Sequence, residues 1–448
     1  MNMPEIVDQE QDVFEFDNEN QEEQVFSADL ARDIKTEQKD PTFDYLNRQI
    51  ERGNIILDPD FQRHYVWEKK NESLLIESIL LKLPLPMIYL AEIENGKKVI
   101  IDGQQRLTAI RRFLQNEFPL KDLTVFTDFK GKFFKDLPVE AQNIIEDGSI
   151  RCVTFLRECD PELKFQVFMR LNSGAVALNA MELRNCLYRG PYMQLLKELA
   201  EYPDFINSVR PQNQKNFHKR MEDWELVLRF CALYHSGHNY TSPSKKFLNK
   251  DAEHWQNISA ACAEELRKAF KTAINCVYSI FGTNSFRKFV KGDQDNPNGK
   301  WYNQFNVGIY EAMLYAFRNA DKNAVMRAKD ELREALIELM TNDKEYARSI
   351  DKATGNQASV LYRLRKTEDL VGQILQNYPR QPRCFSREIK EQLFAQNQIC
   401  TICGTKIETI DDAHVDHVEQ YHNGGETTIS NARLTHRFCN QSRPRNEE

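Results

Sequence analysis

Ten cysteines are spread along the 448 residues, and only three of them stand at a spacing suited to holding a metal. Cys400 and Cys403 form a CxxC knuckle followed by Gly404, and His436 with Cys439 repeats the spacing further along. Two such pairs close a tetrahedral site, and three soft thiolates with one imidazole suit a structural Zn²⁺. Between the pairs lie Asp416 and His417, directly after a strand-like His414-Val415, then the Gly424-Gly425 turn that reverses the chain, then Asn431. Asn440 is bonded directly to the ligand Cys439, so zinc binding fixes a polar side chain within the same small unit. An adjacent Asp–His pair is common and carries little weight alone; its place inside the paired knuckles gives it meaning.

The ordered set Val415-Asp416-His417-Val418, His422-Asn423-Gly424-Gly425, Asn431-Ala432-Arg433-Leu434 and Cys439-Asn440 resembles the HNH nuclease family over about Phe385 to Arg443. That family has a ββα-metal fold, and many members carry such a zinc brace. The resemblance implies an endonuclease acting on DNA, with His417 as the general base that activates water for in-line attack on phosphorus. It implies Asp416 as a ligand of a catalytic Mg²⁺ or Mn²⁺, a hard cation served by oxygen. Asn431 would hold the loop that bears the base. The third motif position is Asn440 rather than His, an HNN variant in which an amide oxygen joins Asp416 on the metal. His414 and His422 are expected to be surface or substrate-proximal residues rather than ligands.

A second cluster stands far upstream. Asp102-Gly103-Gln104-Gln105-Arg106 follows the strand candidate Val99 to Ile101 and opens an amphipathic helix through Ile110, Phe113 and Leu114. A strand-to-helix turn presents backbone N–H groups where the helix dipole favours an anion, and an arginine there adds bidentate contacts to phosphate. A capped turn with an exposed arginine explains the same five residues about as well.

The wider context weights the first of these readings. Phe61-Gln62-Arg63-His64-Tyr65-Val66-Trp67, Ile76-Glu77-Ser78-Ile79 before Pro84-Leu85-Pro86, DGQQRLTAI, Phe168 to Gly174 and Glu182-Leu183-Arg184-Asn185 occur in that order. Together they resemble the ParB/sulfiredoxin-like domain of GmrSD- and SspE-type phage-defence nucleases over about residues 43 to 190. The resemblance implies a nucleoside triphosphate site (GTP, CTP, UTP or ATP) with DGQQR essential to hydrolysis, and recognition of modified phage DNA. Asp102, Gly103, Gln104, Gln105 and Arg106 would form that site, with Arg63, Arg170 and Asn172 as neighbours. Gln62 and Arg63 fit a phosphate contact and a fold-stabilising ion pair equally well. Those relatives commonly carry another HNH subtype, so their substrate rules need not transfer to a chain ending in a compact zinc knuckle.

The elements that must position these clusters follow from pattern and length. A chain of this size exceeds one ordinary core, so several domains are expected. Residues 36–190 alternate short apolar runs (Met87 to Leu90, Val99 to Ile101, Val153 to Leu156) with amphipathic stretches such as Glu72 to Leu83, which Pro84 and Pro86 stop. Residues 191–377 read as helical throughout, with no internal repeat, and the turn formers from Asp293 to Lys300 predict an exposed loop between helices. Tyr378 to Arg383 forms a basic, semi-rigid connection to a module over residues 378–448. The expected fold is α+β multidomain: an acidic disordered tail over residues 1–35, a ParB-like α/β sensor, a helical middle and a ββα-metal module.

Net charge is −7, which argues against a polyanion as partner. Residues 1–31, however, hold ten carboxylates and no Lys or Arg, so the rest of the chain carries a formal +3. The tail is most simply a solvating segment, with competition against DNA for a basic groove as the other reading. No apolar run suits a bilayer span and no basic-then-apolar leader is evident, so a cytoplasmic protein without a membrane partner is expected. Cys152, Cys159, Cys186, Cys231, Cys262 and Cys276 lie singly in apolar or helical patterns, as free thiols do. The leading expectation is a restriction-like effector whose N-terminal domain binds nucleoside triphosphate and gates DNA cutting, with a homo-oligomer left open. Against it stand a nucleotide-regulated DNA-binding protein that does not cut and an RNA-directed toxin nuclease.

Overall fold

The computed structural model describes residues 34–57, 67–171, 179–209, 221–292, 294, 297–351 and 354–442. The acidic tail therefore lies almost wholly outside the described residues, as do Arg63 and Asn172. The rest is a mixed α+β structure, mostly helical.

Five strands build the N-terminal sheet: β1 (Thr36–Lys39), β2 (Ile55–Ile56), β3 (Ile88–Glu92), β4 (Lys98–Asp102) and β5 (Cys152–Phe155). Their order is β1-β5-β3-β4-β2, with β5/β3 and β4/β2 parallel and the other two pairings antiparallel. The central strands read as unbroken apolar runs because both faces are covered. Ile88, Leu90 and Ile100 pack with Ile76, Ile110 and Phe113 of helices Lys69–Leu80 and Gln104–Leu114. Val99, Ile101 and Phe155 pack on the other side with Phe165, Phe168 and Leu183 of helices Pro161–Leu171 and Ala180–Leu187.

From Pro191 to Gln376 a bundle of helices surrounds a large separate apolar core. One feature departs from the sequence expectation: the turn-forming run after Asp293 joins two strands, β6 (Arg287–Val290) and β7 (Lys300–Phe305), in an antiparallel hairpin. Its β-formers, Phe289, Val290, Trp301 and Tyr302, sit inside an otherwise helical stretch and are too few for a clear period-two signal.

A buried chain of charges stitches the bundle to the helix that precedes it. Arg184 Nη1 lies 3.1 Å from Glu225 Oε2, Glu225 Oε1 lies 3.2 Å from Arg229 Nη2, and Arg229 Nη1 lies 2.9 Å from Glu311 Oε1. Glu311 also pairs with Arg363, so four helices share one alternating network. Arg184, fully buried, donates as well to Asn249 at 2.8 Å.

The last unit is a hairpin of β8 (Ala413–His417) and β9 (Ala432–His436), followed by helix Arg437–Gln441 and covered by helix Arg387–Gln396. Among the described residues its buried apolar core is Cys400, Ile407, Ala413, Val415 and Leu434, with partly buried Phe385, Ile389, Leu393 and Phe394 packed against it. Nothing that small stands without a further brace.

At the strand-to-helix turn, Gly103 has φ +97°, and a Cβ there would lie 2.7 Å from Ile88 Cγ1. Gly103→Ala is therefore expected to cost about 1–2 kcal/mol from left-handed backbone alone, before any clash with Ile88. Denaturant unfolding followed by circular dichroism measures it, and an unchanged midpoint would contradict this account.

Candidate active site

The four ligand atoms offered by Cys400, Cys403, His436 and Cys439 all lie within 4.8 Å of one another. Zinc–sulfur bonds of about 2.3 Å in a tetrahedron bring ligand atoms to about 3.8 Å apart, so little contraction closes the site. His436 Nε2 contacts the carbonyl of Lys406 at 3.3 Å while Nδ1 faces Cys403 and Cys439 at 3.4 and 3.8 Å. A carbonyl accepts only, so the proton sits on Nε2 and the Nδ1 lone pair faces the sulfurs, the arrangement a metal-binding imidazole needs. The Thr405 hydroxyl and backbone N–H hold the Cys403 thiol down to about 6, favouring the thiolate. The donor set and its geometry fit zinc.

The hairpin register places Asp416 opposite Arg433 and His417 opposite Ala432. Arg433 donates to Asp416 Oδ2 from Nε at 2.9 Å and from Nη2 at 2.6 Å, so both contacts fall on one carboxylate oxygen. His414 lies two residues before Asp416 and shares its face of β8. It touches Asn440 across 2.9 Å, Nδ2 to Nδ1. Asp416 and Asn440 are thus brought to one face of the hairpin, and a carboxylate with an amide is an oxygen donor set suited to Mg²⁺. His414 is no isolated surface residue.

His417 is buried and packs against the Phe385 ring, with centroids 4.2 Å apart. Burial pushes the imidazole below its ordinary value; Asp416 pulls it up and Arg383 pushes it down further. Its Nε2 contacts Thr427 Oγ1 at 3.0 Å. Asn431 ties together the loop that follows β8: its amide donates to the carbonyls of Glu419 (3.1 Å) and Glu426 (2.9 Å) and accepts from Glu419 N–H at 2.8 Å. A Cβ on Gly425 would lie 1.9 Å from the Glu419 carbonyl oxygen, so only glycine passes there. The loop also docks on helix Lys322–Arg327, where Asn323 donates to the carbonyls of Tyr421 (2.8 Å) and Gly425 (3.1 Å).

The upstream cluster is also assembled at one turn. Asp102 ends β4, Gly103 caps helix Gln104–Leu114 with no side chain to satisfy its first N–H groups, and Gln105 Oε1 is a buried acceptor without a hydrogen-bond donor. Arg106 lies with its side chain only 12% exposed, its Nη2 3.0 Å from Asp102 Oδ2 and its other contacts on the carbonyls of Pro86 and Met87. Arg170 is exposed at the end of its helix.

Several site neighbours escaped sequence reasoning. Arg433 becomes the partner of Asp416 only once the hairpin register is known, and Thr427, Phe385 and Gln381 meet His417 or its loop through folding alone. Asn323 sits a hundred residues away in another helix.

Residues 42–189 match the family model described as the N-terminal domain of GmrSD restriction endonuclease, and residues 400–445 match that of HNH endonuclease. Searches of curated proteins and of solved structures returned no match. Among the described residues no helix is long and apolar enough to cross a membrane. The two family matches fall on the two constellations of side chains described above, and the chain is an endonuclease that joins a GmrSD-type N-terminal domain to a C-terminal HNH domain.

Proposed function

We propose that the chain is a nucleotide-regulated restriction endonuclease of the HNN type that hydrolyses DNA phosphodiesters. What supports this is a hairpin that carries Asp416 and His417 at adjacent positions of β8, with Asn440 against His414 on the Asp416 face, and whose far end is held by the Cys₃His cluster. In this reading His417 takes a proton from water as the water oxygen bonds to phosphorus. The opposite phosphorus–oxygen bond breaks with its electrons on the leaving oxygen, which solvent then protonates. A divalent cation bound by Asp416 and Asn440 would offset charge on the phosphate and leaving oxygen. Asn431 keeps the loop after the base in shape, and Arg433 holds the Asp416 carboxylate.

The N-terminal part is read as a ParB/sulfiredoxin-like sensor spanning residues 36–190, joined through a helical middle over 191–377 to the nuclease module over 378–448. Its support is the glycine-capped helix start at Gly103, with Gln105 Oε1 in need of a donor and Asp102 beside it. Those features suit a phosphate with its hydrated counter-ion better than a closed apolar turn. Arg106 would act through its pairing with Asp102, and Gln104, Arg63, Arg170 and Asn172 complete the candidate set. The substrate would be phage DNA, modified DNA included. The test is purified protein with Mg²⁺ or Mn²⁺ on unmodified and modified DNA, with and without GTP, CTP, UTP or ATP. Absence of cutting under every condition would overturn the proposal.

Arg106→Ala removes the partner of the Asp102 carboxylate and is expected to weaken nucleoside triphosphate binding about tenfold or more, the worth of that charged hydrogen bond at about 1.5–3 kcal/mol. Calorimetry measures it, together with zinc content and thermal stability. If stability falls throughout while the affinity is kept, the contacts to Asp102, Pro86 and Met87 make Arg106 a residue of the fold alone.

A further inference from the structure

The reading of His417 as general base leaves open which ring nitrogen takes the proton, and the inference here rests on that reading. Thr427 Oγ1 lies 2.6 Å from the carbonyl oxygen of Pro382 and 3.0 Å from His417 Nε2. A hydroxyl has one proton and a carbonyl can only accept, so that proton is committed to Pro382. The contact with His417 is then made the other way round, Nε2–H donating to a lone pair of Thr427. A neutral imidazole with its proton on Nε2 carries its lone pair on Nδ1.

We propose that Thr427 is a positioning residue that locks His417 as the Nε2–H tautomer, so that Nδ1 is the nitrogen that accepts the proton of the attacking water. Thr427 lies within the 400–445 stretch that matches HNH endonuclease, but the groups that hold it, Gln381 and Pro382, lie outside that stretch. Gln381 Oε1 accepts from Thr427 N–H at 2.7 Å, and Tyr421 donates its hydroxyl to the Gln381 carbonyl at 2.7 Å. Phe385 packs against the imidazole, the two rings tilted by 40°. The same connecting segment is gripped by the helical bundle, through Arg327 Nη2 on the Pro379 carbonyl at 2.6 Å. The proton state of the base is thereby tied to the segment that joins the nuclease hairpin to the rest of the chain. Any movement of the bundle that pulls Pro382 or Gln381 away removes the acceptor that selects the tautomer.

The test uses the full chain, zinc loaded and labelled with ¹⁵N-histidine. Two-bond proton–nitrogen correlation is expected to give His417 a pyrrole-like Nε2 and a pyridine-like Nδ1, the signals being assigned by their loss in His417→Gln. Thr427→Val removes the hydroxyl at nearly constant shape; it is expected to mix the tautomers and to lower kcat about tenfold, the worth of one neutral hydrogen bond, with KM for DNA unchanged. Thr427→Ser keeps the hydroxyl and is expected to restore both. A wild-type Nδ1–H signal, or an unchanged kcat in Thr427→Val, overturns the tautomer assignment. Cutting by His417→Gln at the wild-type rate overturns instead the general-base reading, and the two failures are told apart by that one variant.

Discussion

Replacing His417 by alanine is expected to reduce DNA cleavage by about 10²–10⁴-fold, the usual contribution of a positioned general base, while DNA binding survives. The reason is that proton transfer belongs to the chemical step, and its loss raises the barrier without removing a ground-state contact. The surroundings favour this role: burial and Arg383 keep the imidazole below its ordinary value, so it is neutral and able to accept a proton near pH 7. The side chain is also not a keystone of the small core, which is made of Cys400, Ile407, Ala413, Val415 and Leu434. Single-turnover cleavage with Mg²⁺, alongside a filter-binding titration, separates the two effects. Cleavage retained in the variant would refute the assignment, and a parallel loss of binding would mark His417 as a substrate contact instead.

Removing the metal from the Cys₃His cluster, by a chelator or by Cys403→Ser, is expected to unfold the C-terminal module selectively. Five buried apolar side chains cannot offset the conformational entropy of a unit this size. Structural zinc sites of this kind supply about 10–16 kcal/mol of folding free energy. The N-terminal sheet and the helical bundle have apolar clusters of their own and do not share this dependence. Hydrogen exchange should therefore show β8 and β9 losing protection while helix Glu222–Ser236 keeps it. The hydrogen bonds from Asn323 to Tyr421 and Gly425 should be lost with the module. Freshly purified protein without zinc would sink this expectation, as would equal protection with and without chelator.

Much of the nuclease module was legible in the sequence because its signals are local. A CxxC knuckle and a His–x–x–Cys pair fix their own geometry within one turn of chain, and Asn440 is tied to its place by the peptide bond to Cys439. The turn at Gly103 is equally local, since a strand pattern, a glycine and an amphipathic helix leave one sensible arrangement. The central strands were legible as apolar runs bounded by polar turns, because burial on both faces writes itself into composition.

Other features depended on which distant segments meet, and no spacing encodes that. The register of β8 on β9 chose Arg433 as the partner of Asp416, and a shift by one residue would have turned Arg433 to the opposite face. Packing of the 379–385 segment against the hairpin brought Phe385, Pro382 and Gln381 to the imidazole and its threonine. Arg106 and Arg184 show the same limit: the sequence offers each as a cation, and tertiary contacts turn the first toward the carbonyls of Pro86 and Met87 and bury the second in a network of four helices. The sequence by itself determined which side chains can do chemistry and the short-range turns that present them. Only the tertiary structure decided their partners, because hydrogen bonds and ion pairs between distant segments exist only after the cores that align those segments have packed.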